Sequence, residues 1–277
     1  MEVTFGTTAD VSMTTLASMM NAVYIGDPDS SPATAESYGD FCRAQNVDPA
    51  RGVLARDASG IPIGVAVLAR RGGRGWCGDF GIVPEWRRKG LGHRLMEEFV
   101  EEARRAGVRR LQLEVREENP AARRVYERAG YHYEREMVLL EGEQGTREME
   151  QGVRRCAIDG VLRWPAPERP CWERELPSLL AAGEKTQALL LTRGGLEVAL
   201  LVCEPTWRER ELSVLHFGGR AGATADDLHE LMVVAAGAAG GHSFRIGLEP
   251  VGSRLHAYAK AIGFREVRRY FEMAREL

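Results

Sequence analysis

Two hydrophobic periods alternate along the first half of the chain. Residues 91–107 carry apolar side chains at every third or fourth position, which predicts an amphipathic helix. Its apolar stripe comprises Leu91, Leu95, Met96, Phe99, Val100 and Ala103. Residues 109–116 instead alternate, which predicts a strand with Leu113 on one face and Glu114 on the other. The mixture of both periods predicts an α/β (α+β) fold.

The same two patterns predict the neighbouring elements. Helices are predicted over 11–24, from about residue 33, and over 119–130, the last with Asn119 as its N-cap and Pro120 in its first turn. Strands are predicted over 3–9, 52–57, 61–70, 75–83 and 131–140. Residues 141–152, EGEQGTREMEQG, have no apolar face, and we predict that they form a linker.

The second half of the chain repeats the first at a constant spacing. Pairs of similar residues that lie 133 positions apart include Val65 and Val198, Leu95 and Leu228, Leu113 and Ile246, and Gly130 and Gly263. One spacing that holds through strands and helices indicates a duplicated fold. We therefore predict two domains, over residues 1–145 and 153–277.

Composition and charge argue against several classes of protein. The 277 residues carry a net charge of −3, whereas proteins that bind nucleic acid or anionic membranes usually carry a basic excess. No apolar run approaches the ~18 residues of a membrane span, and the N-terminus resembles no signal peptide. The five cysteines include no Cys-x-x-Cys pair and the six histidines no His-x-x-x-His pair. We expect free thiols, no metal site and a cytoplasmic protein.

Residues 87–92, RRKGLG, stand between a predicted strand and the helix that begins near Leu91. The unpaired N–H groups of a helix N-terminus attract anions, and glycines let a phosphate approach the backbone closely. Gly90 and Gly92 supply that freedom, and three cations precede them. The hexamer alone is also consistent with a basic patch for nucleic acid or with an ordinary turn, because short motifs often match by chance.

The second copy provides an internal comparison for this motif. At the constant spacing of the repeat, both motif glycines are replaced by alanine, at Ala223 and Ala225. Thr224 is predicted to cap the helix, and Asp226 and Asp227 would place negative charge in its first turn. Such a helix start would repel a pyrophosphate. We therefore predict a phosphate site at residues 87–92 of the first copy and none in the second.

Two motifs resemble those of the GNAT superfamily of N-acetyltransferases. Its pyrophosphate loop, Arg/Gln-x-x-Gly-x-Gly/Ala, is matched by Arg87, Gly90 and Gly92. Its signature Asn-x-x-Ala-x-x-x-Tyr-x-x-x-Gly-Phe/Tyr is matched by Asn119, Ala122, Tyr126, Gly130 and Tyr131. The strand LEVR before this helix looks most like that of the ribosomal-protein N-terminal acetyltransferases. The resemblance covers residues 76–140 by motif and about 1–145 by the order of elements.

The resemblance implies two tandem GNAT-like domains, each a mixed, mostly antiparallel twisted sheet flanked by helices. Two central strands would splay apart, and acetyl-CoA, as co-substrate, would lie in that cleft with its amide arm along residues 77–83. The acceptor amine would enter from the opposite side. The residues expected to bind acetyl-CoA are Ile82, Val83, Arg87, Arg88, Lys89, Gly90, Leu91, Gly92, His93, Arg94, Asn119, Ala122 and Tyr126.

Transfer to an amine requires a base for the amine and an acid for the departing thiolate. Tyr126 is the expected acid, because it follows Asn119 by two helical turns on the same face. Glu114 is the leading candidate for the base, since its position resembles that of the base proposed for the ribosomal-protein group. Asp79 is the second candidate, acting directly or through water. Asn119 is expected chiefly to cap its helix, although it could also contact the cofactor.

The second copy lacks the corresponding groups, since Gly247 and Ala259 stand where Glu114 and Tyr126 are expected. We predict that this degenerate copy has a structural or acceptor-shaping role. Tandem GNAT enzymes such as mycothiol synthase resemble this arrangement, but in them the C-terminal copy is the active one.

The sequence does not name the acceptor. The segment between the first two helices is acidic through Asp27, Asp29, Glu36 and Asp40, which favours a cationic amine or is simply a solvated loop. We expect acetyl-CoA and a small-molecule or peptide amine as partners, and a monomer or homodimer. Two other functions stay open: a non-catalytic acetyl-CoA sensor, and a nucleic-acid-binding regulator that the net charge opposes.

Overall fold

The computed structural model describes residues 2–27, 30–149, 152–182 and 186–277. The chain forms two compact units, Met1–Glu134 with Phe271–Leu277, and Arg135–Tyr270. None of the helices in these ranges is long and apolar enough to cross a membrane. The five cysteines are free thiols.

Helices and strands alternate in the first half of the chain. The strands are β1 Val3–Thr7, β2 Val53–Asp57, β3 Pro62–Arg71, β4 Arg74–Ile82, β5 Arg110–Arg116 and β6 His132–Glu143. The helices are α1 Met13–Val23, α2 Ala35–Gln45, α3 Leu91–Arg105 and α4 Pro120–Arg128. Each of the predicted elements is therefore present, within a few residues of its expected bounds.

The second half repeats this order, except that among the described residues one five-residue α-helix stands where the first half has α1 and α2. The strands are β7 Val153–Cys156, β8 Gln187–Arg193, β9 Leu196–Pro205, β10 Glu211–Gly219, β11 Ser243–Pro250 and β12 Arg265–Glu276. The helices are α5 Leu176–Leu180, α6 Ala225–Ala239 and α7 Arg254–Ala261. β12 begins at Arg265 and β6 at His132, which is the same spacing as between the paired residues of the sequence. The duplication predicted from the sequence is confirmed.

Each unit is built on a mixed, mostly antiparallel sheet. In the first unit the strands lie in the order β1-β2-β3-β4-β5, and the end of β12 follows β5. In the second unit the order is β6-β11-β10-β9-β8-β7. One inner pair in each sheet is parallel, β4 with β5 and β10 with β11. The predicted fold class is therefore confirmed.

The sheet of the first unit has a separate core on each of its two faces. On the α3 face, the stripe predicted from the sequence is buried, and Leu95, Met96 and Phe99 are fully inaccessible. Burial of one such side chain contributes about 1.5–3 kcal/mol. On the α1/α2 face, apolar residues of both helices pack against Leu54, Val65 and Val67. Alternate residues of one strand therefore face different helices.

The boundaries of the two units differ from the predicted division into 1–145 and 153–277. Residues 135–143 of β6 belong to the second unit, where the strand pairs with β11, and residues 271–277 belong to the first. The sequence division assumed that each repeat keeps its own last strand. The assignment of a function to each domain stays a prediction.

The prediction of a linker over residues 141–152 was wrong for its first residues. Glu141–Glu143 belong to β6, and Gln144 is buried with its backbone N–H donating to the carbonyl of His242 at 2.8 Å. Arg147 donates in the same way to Val233 at 2.9 Å. A polar segment can therefore be ordered when the neighbouring backbone accepts its hydrogen bonds. Two of the linker residues, 150 and 151, lie outside the described ranges.

Candidate active site

β4 and β5 separate after a short stretch of pairing. Within the described ranges, they pair only at Arg74 with Arg110, Gly75 with Leu111 and Trp76 with Gln112. β4 nevertheless continues to Ile82 and β5 to Arg116. The backbone of β4 beyond Trp76 therefore faces a gap between the two strands. This is the splay that the family resemblance implies.

A β-bulge at Gly78 decides which face of the sheet Asp79 occupies. Leu68 of β3 pairs with Cys77, and the next pair is Val67 with Asp79, which leaves Gly78 as the extra residue on β4. Leu68 and Cys77 pack on the α3 face, whereas Val67 packs on the α1/α2 face. Asp79 therefore lies on the α1/α2 face, although strict alternation would place it beside Cys77 on the other.

Two phenols hold the carboxylate of Asp79. The Tyr38 hydroxyl donates to Oδ2 at 3.0 Å, and the Tyr24 hydroxyl is also hydrogen-bonded to the carboxylate. Burial raises the pKa of Asp79 above its usual value, and these two hydrogen bonds offset the rise only in part. Burial and the neighbouring Asp79 in turn raise the pKa of Tyr24 and of Tyr38, so both phenols are protonated at neutral pH.

Asp79 lines a cavity of about 370 Å³ on the α1/α2 face. The other side chains that line it include the aromatic rings of Tyr24, Tyr38 and Phe41, the hydroxyls of Ser30, Ser31 and Ser37, and the ion pair of Arg116 with Asp27. Arg116 and Asp27 approach to 2.7 Å. Among the described residues, the cavity therefore combines an aromatic wall, hydroxyl groups, the ion pair of Arg116 with Asp27, and the carboxyl of Asp79 beside two phenols.

The acidic segment contributes less to this cavity than the sequence suggested. Asp27 lines it, but is paired with Arg116. Asp40 is largely exposed and forms an ion pair with Arg43 on the surface. Glu36 is exposed in the first turn of α2, and Asp29 lies outside the described residues.

The sequence reasoning missed Tyr24 and Tyr38. Each tyrosine belongs to a predicted helix, where the hydrophobic pattern already accounts for an aromatic residue as part of the core. In addition, Tyr38 and Asp79 lie 41 positions apart in the sequence. The available signal was that α1 and α2 flank the side of the sheet from which an acceptor is expected. Pairing those tyrosines with Asp79 required the three-dimensional structure.

Tyr126 lies on the opposite face of the sheet from Asp79. It is buried in the core beside α3, and its ring packs edge-on against Phe80 with the centroids 5.7 Å apart. Phe80 directly follows Asp79 on β4. Burial raises the pKa of the Tyr126 phenol, with a smaller effect from Cys77, so that the group is a proton donor at neutral pH. The two polar groups therefore lie on different faces of the same short segment of β4.

α4 carries Tyr126 and begins at a side-chain cap. The Asn119 side chain accepts a hydrogen bond from the backbone N–H of Ala122 at 3.1 Å, and Pro120 stands in the first turn. The predicted capping role of Asn119 is confirmed. Contacts of Asn119 and Ala122 with a cofactor stay a prediction.

Glu114 lies on the α1/α2 face, as the alternation of β5 predicted, but its carboxylate is bound to a neighbouring ring. Its Oε2 accepts a hydrogen bond from the indole Nε1 of Trp76 at 2.6 Å. Glu114 is not among the described residues that line the cavity. The structure therefore brings Asp79 to the cavity, and the role of Glu114 as base stays a prediction.

The loop before α3 has a conformation that is compatible with the predicted anion site. Gly90, the N-cap residue, adopts a φ of 78°, which costs glycine little and other residues considerably more. A Cβ at Gly90 would meet none of the described atoms within 4 Å. No side chain in the described chain caps this helix start. The His93 N–H donates to the Gly90 carbonyl at 3.2 Å, and the N–H groups of Leu91 and Gly92 before it are available to an external acceptor.

The cations of the loop differ in their surroundings. Arg87 donates through Nε to the carbonyl of Ile82 at 2.9 Å and through a terminal nitrogen to that of Val23 at 2.7 Å, so its side chain ties the end of β4 to the end of α1. Arg88 adopts a φ of 60°. Lys89 lies 5.1 Å from the ring centre of Trp86. The expected contacts of these residues with a pyrophosphate stay predictions.

The other residues predicted to bind the cofactor cluster around the same loop. Leu91 is the first residue of α3 and is buried, Ile82 is the last residue of β4, and Val83 follows it. His93 Nε2 lies 3.0 Å from a guanidinium nitrogen of Arg128. The Arg94 guanidinium lies 5.1 Å from the ring centre of Phe5. Their proximity follows from the fold, while their role stays a prediction.

The equivalent helix start in the second unit is closed by side chains. Thr224 caps α6 and its backbone N–H donates to Asp227 at 2.8 Å, so the predicted capping box is confirmed. Gly90 and Thr224 are the N-caps of α3 and α6, so these two helix starts lie one position further apart than the rest of the repeat. With this correction, the residue equivalent to Gly92 is Asp226, and not an alanine.

The gap in the second unit is also occupied by its own chain. β10 and β11 pair over Glu211–Ser213 and then separate. Arg174 donates to the carbonyl of Leu215 on β10 at 2.9 Å and to that of Gly247 on β11 at 3.2 Å. An arginine thus connects the two strands where the first unit leaves a gap.

The position of Tyr126 is also changed in the second unit. Ala259 stands there and is fully buried. The neighbouring Tyr258 donates its hydroxyl hydrogen to the carbonyl of Ala223, at 2.5 Å, immediately before the cap of α6. The second unit therefore keeps the fold, but internal contacts occupy its helix start and its gap, and alanine stands at the position of Tyr126.

Solved structures share this fold over the whole chain. A tandem GNAT protein from the clavulanic acid biosynthesis pathway is 15% identical, with a TM-score of 0.70 over 99% of this chain and 98% of that chain. A GCN5-related N-acetyltransferase from Sphaerobacter thermophilus is 17% identical, with a TM-score of 0.67 over 99% and 95%. One from Kribbella flavida is 15% identical, with a TM-score of 0.58 over 100% and 71%. At these identities the likeness establishes the fold alone.

The family of the first unit follows from its sequence. No curated relative matches the chain. Residues 18–131 match the model of the acetyltransferase (GNAT) family. This range contains the gap between β4 and β5, the loop before α3 and the helix that carries Tyr126. The protein therefore contains a GNAT-family domain in its first copy and has the fold of tandem GNAT proteins.

Proposed function

We propose that the first unit transfers the acetyl group of acetyl-CoA to a primary amine of a small molecule or peptide. The observation that carries this proposal is the gap between β4 and β5, with Asp79 on one face of β4 and Tyr126 on the other. A transfer between two substrates that enter from opposite faces requires one proton acceptor and one proton donor in this arrangement. The GNAT-family match supports acetyl-CoA as the donor.

The described residues fit acetyl-CoA in two places. The backbone of β4 beyond Trp76 faces the gap and can pair with the amides of the pantetheine arm. The start of α3, with Gly90 in the left-handed conformation, offers backbone N–H groups to the pyrophosphate, and Arg88 and Lys89 supply positive charge beside it. Acetyl-CoA would supply an acetyl group already activated as a thioester.

Asp79 is the base that the geometry favours. Its carboxyl lines the cavity, and its raised pKa makes it a better proton acceptor than an ordinary aspartate. Tyr24 and Tyr38 fix the carboxyl in place. Tyr126, protonated at neutral pH, would deliver a proton to the departing thiolate on the other face. The amine would attack directly, without an acetylated protein residue.

The cavity supports an acceptor that carries one amine on a largely uncharged body. Among the described lining residues, Arg116 and Asp27 neutralise each other, and the carboxyl of Asp79 is then the group that complements a single ammonium. The rings of Tyr24, Tyr38 and Phe41 offer apolar and cation–π contacts to the rest of the molecule. This lining supports a monoamine more than the polycation suggested by the acidic segment.

Two measurements test the proposal. Calorimetry measures acetyl-CoA binding to the wild-type chain, and release of free thiol measures transfer across a panel of amines that includes monoamines, polyamines, aminoglycosides and peptide N-termini. Turnover is expected with at least one monoamine. Asp79→Asn is expected to lower kcat by about 10²–10⁴-fold, because it removes the base.

Asp40→Asn is the matched control for Asp79→Asn. Asp40 belongs to the same acidic region but is exposed on α2, and its loss should leave kcat unchanged. Failure to bind acetyl-CoA would contradict the whole proposal. Binding without turnover of any amine would instead indicate a sensor. Equal rates for Asp79→Asn and wild type would contradict the assignment of the base.

A further inference from the structure

The ring of Trp76 covers the bulge residue Gly78. A Cβ added to Gly78 would come within 2.7 Å of Cζ3 and 3.0 Å of Cε3 of that ring. Trp76 itself is buried, and its ring meets Phe41 of α2 with the centroids 6.3 Å apart. The indole therefore lies between α2 and the backbone of β4 at the point where the extra residue is inserted.

Glu114 fixes this indole from the neighbouring strand. The last paired residues of β4 and β5 are Trp76 and Gln112, and Glu114 lies two residues further along β5. The 2.6 Å hydrogen bond from Trp76 Nε1 to Glu114 therefore joins the two strands just beyond the end of their backbone pairing. This hydrogen bond is partly buried, and a hydrogen bond to a carboxylate holds its partners more firmly than a neutral one.

We propose that Glu114 is a positioning residue: it holds the Trp76 ring against Gly78 and thereby maintains the bulge that directs Asp79 into the acceptor cavity. The reason is that successive side chains of a strand alternate between the two faces of the sheet. If Gly78 took a regular position in the strand instead of forming the bulge, the residues that follow it would change faces, and Asp79 would turn from Tyr38 toward the apolar core under α3. The consequence for catalysis rests on the proposed role of Asp79.

The proposal gives Glu114 a role different from proton transfer. A base at Glu114 would need its carboxylate free to accept a proton from the amine, and its ionisation would govern the rate. A positioning residue needs only an acceptor oxygen for the indole N–H. Glutamine retains such an oxygen and removes the charge, whereas alanine removes both. These two substitutions therefore separate the two roles.

The first experiment compares steady-state rates of Glu114→Ala, Glu114→Gln and Trp76→Phe with the best amine from the panel. Glu114→Ala and Trp76→Phe should both lower kcat by about 10–100-fold, the cost of misplacing a catalytic group by about 1 Å. The KM for acetyl-CoA should change less than kcat. Glu114→Gln should recover most of the rate lost in Glu114→Ala. Trp207→Phe, at an exposed tryptophan, is the control and should have no effect.

The second experiment reports on Asp79 without any acceptor. The carbon signal of the Asp79 carboxyl, identified from its absence in Asp79→Asn, is followed by NMR as the pH is varied. Its titration midpoint should rise further above that of an ordinary aspartate in Glu114→Ala and Trp76→Phe, because the carboxyl loses the hydrogen bonds of its phenols and turns toward an apolar core. It should stay near the wild-type value in Glu114→Gln. If Trp76→Phe fails to fold, the comparison of Glu114→Ala with Glu114→Gln still tests whether Glu114 positions Asp79.

Two results would overturn the proposal. One is an Asp79 midpoint that is the same in all the variants, which would show that the Trp76–Glu114 hydrogen bond does not control Asp79. The other is Glu114→Gln behaving like Glu114→Ala in rate and midpoint, which would assign the effect to the charge. If no amine is turned over, the proposed function fails, but the NMR titration still tests the control of Asp79 by Glu114.

Discussion

The guanidinium of Arg174 forms an ion pair with the carboxylate of Glu249 inside the second unit, where the two side chains are 8% and 6% exposed. The Ser253 hydroxyl also donates to Glu249, and Arg174 donates to carbonyls of both separated strands. The gap of the second unit thus contains a satisfied polar network of its own chain. This network supports a structural role for that copy.

Replacing Arg174 by methionine should destabilise the protein strongly. Methionine fills a similar volume but leaves Glu249 buried without its cation, which typically costs about 3–5 kcal/mol. Urea unfolding followed by circular dichroism measures the change. Adding Glu249→Leu to the same chain should recover part of the loss, because a buried pair replaced as a whole costs less than a buried charge left alone.

Arg43→Met is the matched control for Arg174→Met. Arg43 forms its ion pair with Asp40 on the surface, with side chains 74% and 64% exposed. Such pairs contribute about 0–1 kcal/mol. Losses of similar size in the two variants would show that the Arg174 pair is not important for the stability of the second unit.

Introducing the aspartate of the second copy into the first should separate fold from binding. Gly92→Asp reproduces Asp226 at the equivalent position of α6. A negative charge near a helix N-terminus contributes about 0.3–1 kcal/mol to stability, so the variant should be at least as stable as wild type. It should nevertheless bind acetyl-CoA at least tenfold more weakly by calorimetry, because the carboxylate would repel the pyrophosphate.

Gly92→Ala distinguishes charge from size in this test. A Cβ at Gly92 would approach Val125 to an ordinary 3.6 Å, so the variant should fold normally. Its affinity for acetyl-CoA should stay closer to wild type than that of Gly92→Asp. Equal affinities in all three proteins would place the pyrophosphate elsewhere.

The sequence predicted the elements of the fold more completely than the contacts of the site. The stripe of α3 and the duplication are local or periodic patterns, and both could be predicted because hydrophobic burial enforces them. The face of the sheet on which Asp79 lies could not be predicted, because one inserted residue at Gly78 reverses the alternation without changing the composition of the strand. The error in aligning Gly92 arose because the N-caps of α3 and α6 lie one position further apart than the rest of the repeat.

The hydrogen-bond partners of Asp79 could not be predicted from the sequence for a different reason. Tyr24 and Tyr38 reach it from two helices, and their hydrogen bonds depend on how α1 and α2 pack on the sheet. The hydrogen bond between Trp76 and Glu114 likewise joins residues 38 positions apart. Pattern identifies which side chains are buried, but only the packing of elements shows which polar groups meet.

Tyr126→Phe should lower kcat with little effect on folding. The substitution keeps the ring that packs against Phe80 and removes only the hydroxyl that would protonate the thiolate. We expect kcat to fall by about 10²-fold or more, with the KM for acetyl-CoA less affected. Tyr258→Phe removes a hydroxyl from the second unit and should leave kcat unchanged. An unchanged kcat for Tyr126→Phe would exclude it as the acid.

Asp79 should make the stability of the protein depend on pH in a defined direction. Its pKa is raised in the folded state, so the folded protein binds this proton more tightly than the unfolded chain does. The stabilisation is complete below the ordinary aspartate pKa, about 4, and is lost as pH rises through the raised value. Each tenfold difference in proton affinity corresponds to about 1.4 kcal/mol.

Asp79→Asn removes this titration, and urea unfolding at a series of pH values measures the result. The free energy of unfolding of the variant, relative to wild type, should increase as pH rises from about 4 toward neutrality and then level off. Asp40→Asn, at the exposed position, should run parallel to wild type over the same range. A difference between Asp79→Asn and wild type that stays constant with pH would show that burial does not raise the pKa of Asp79. The base would then have to be sought elsewhere in the cavity.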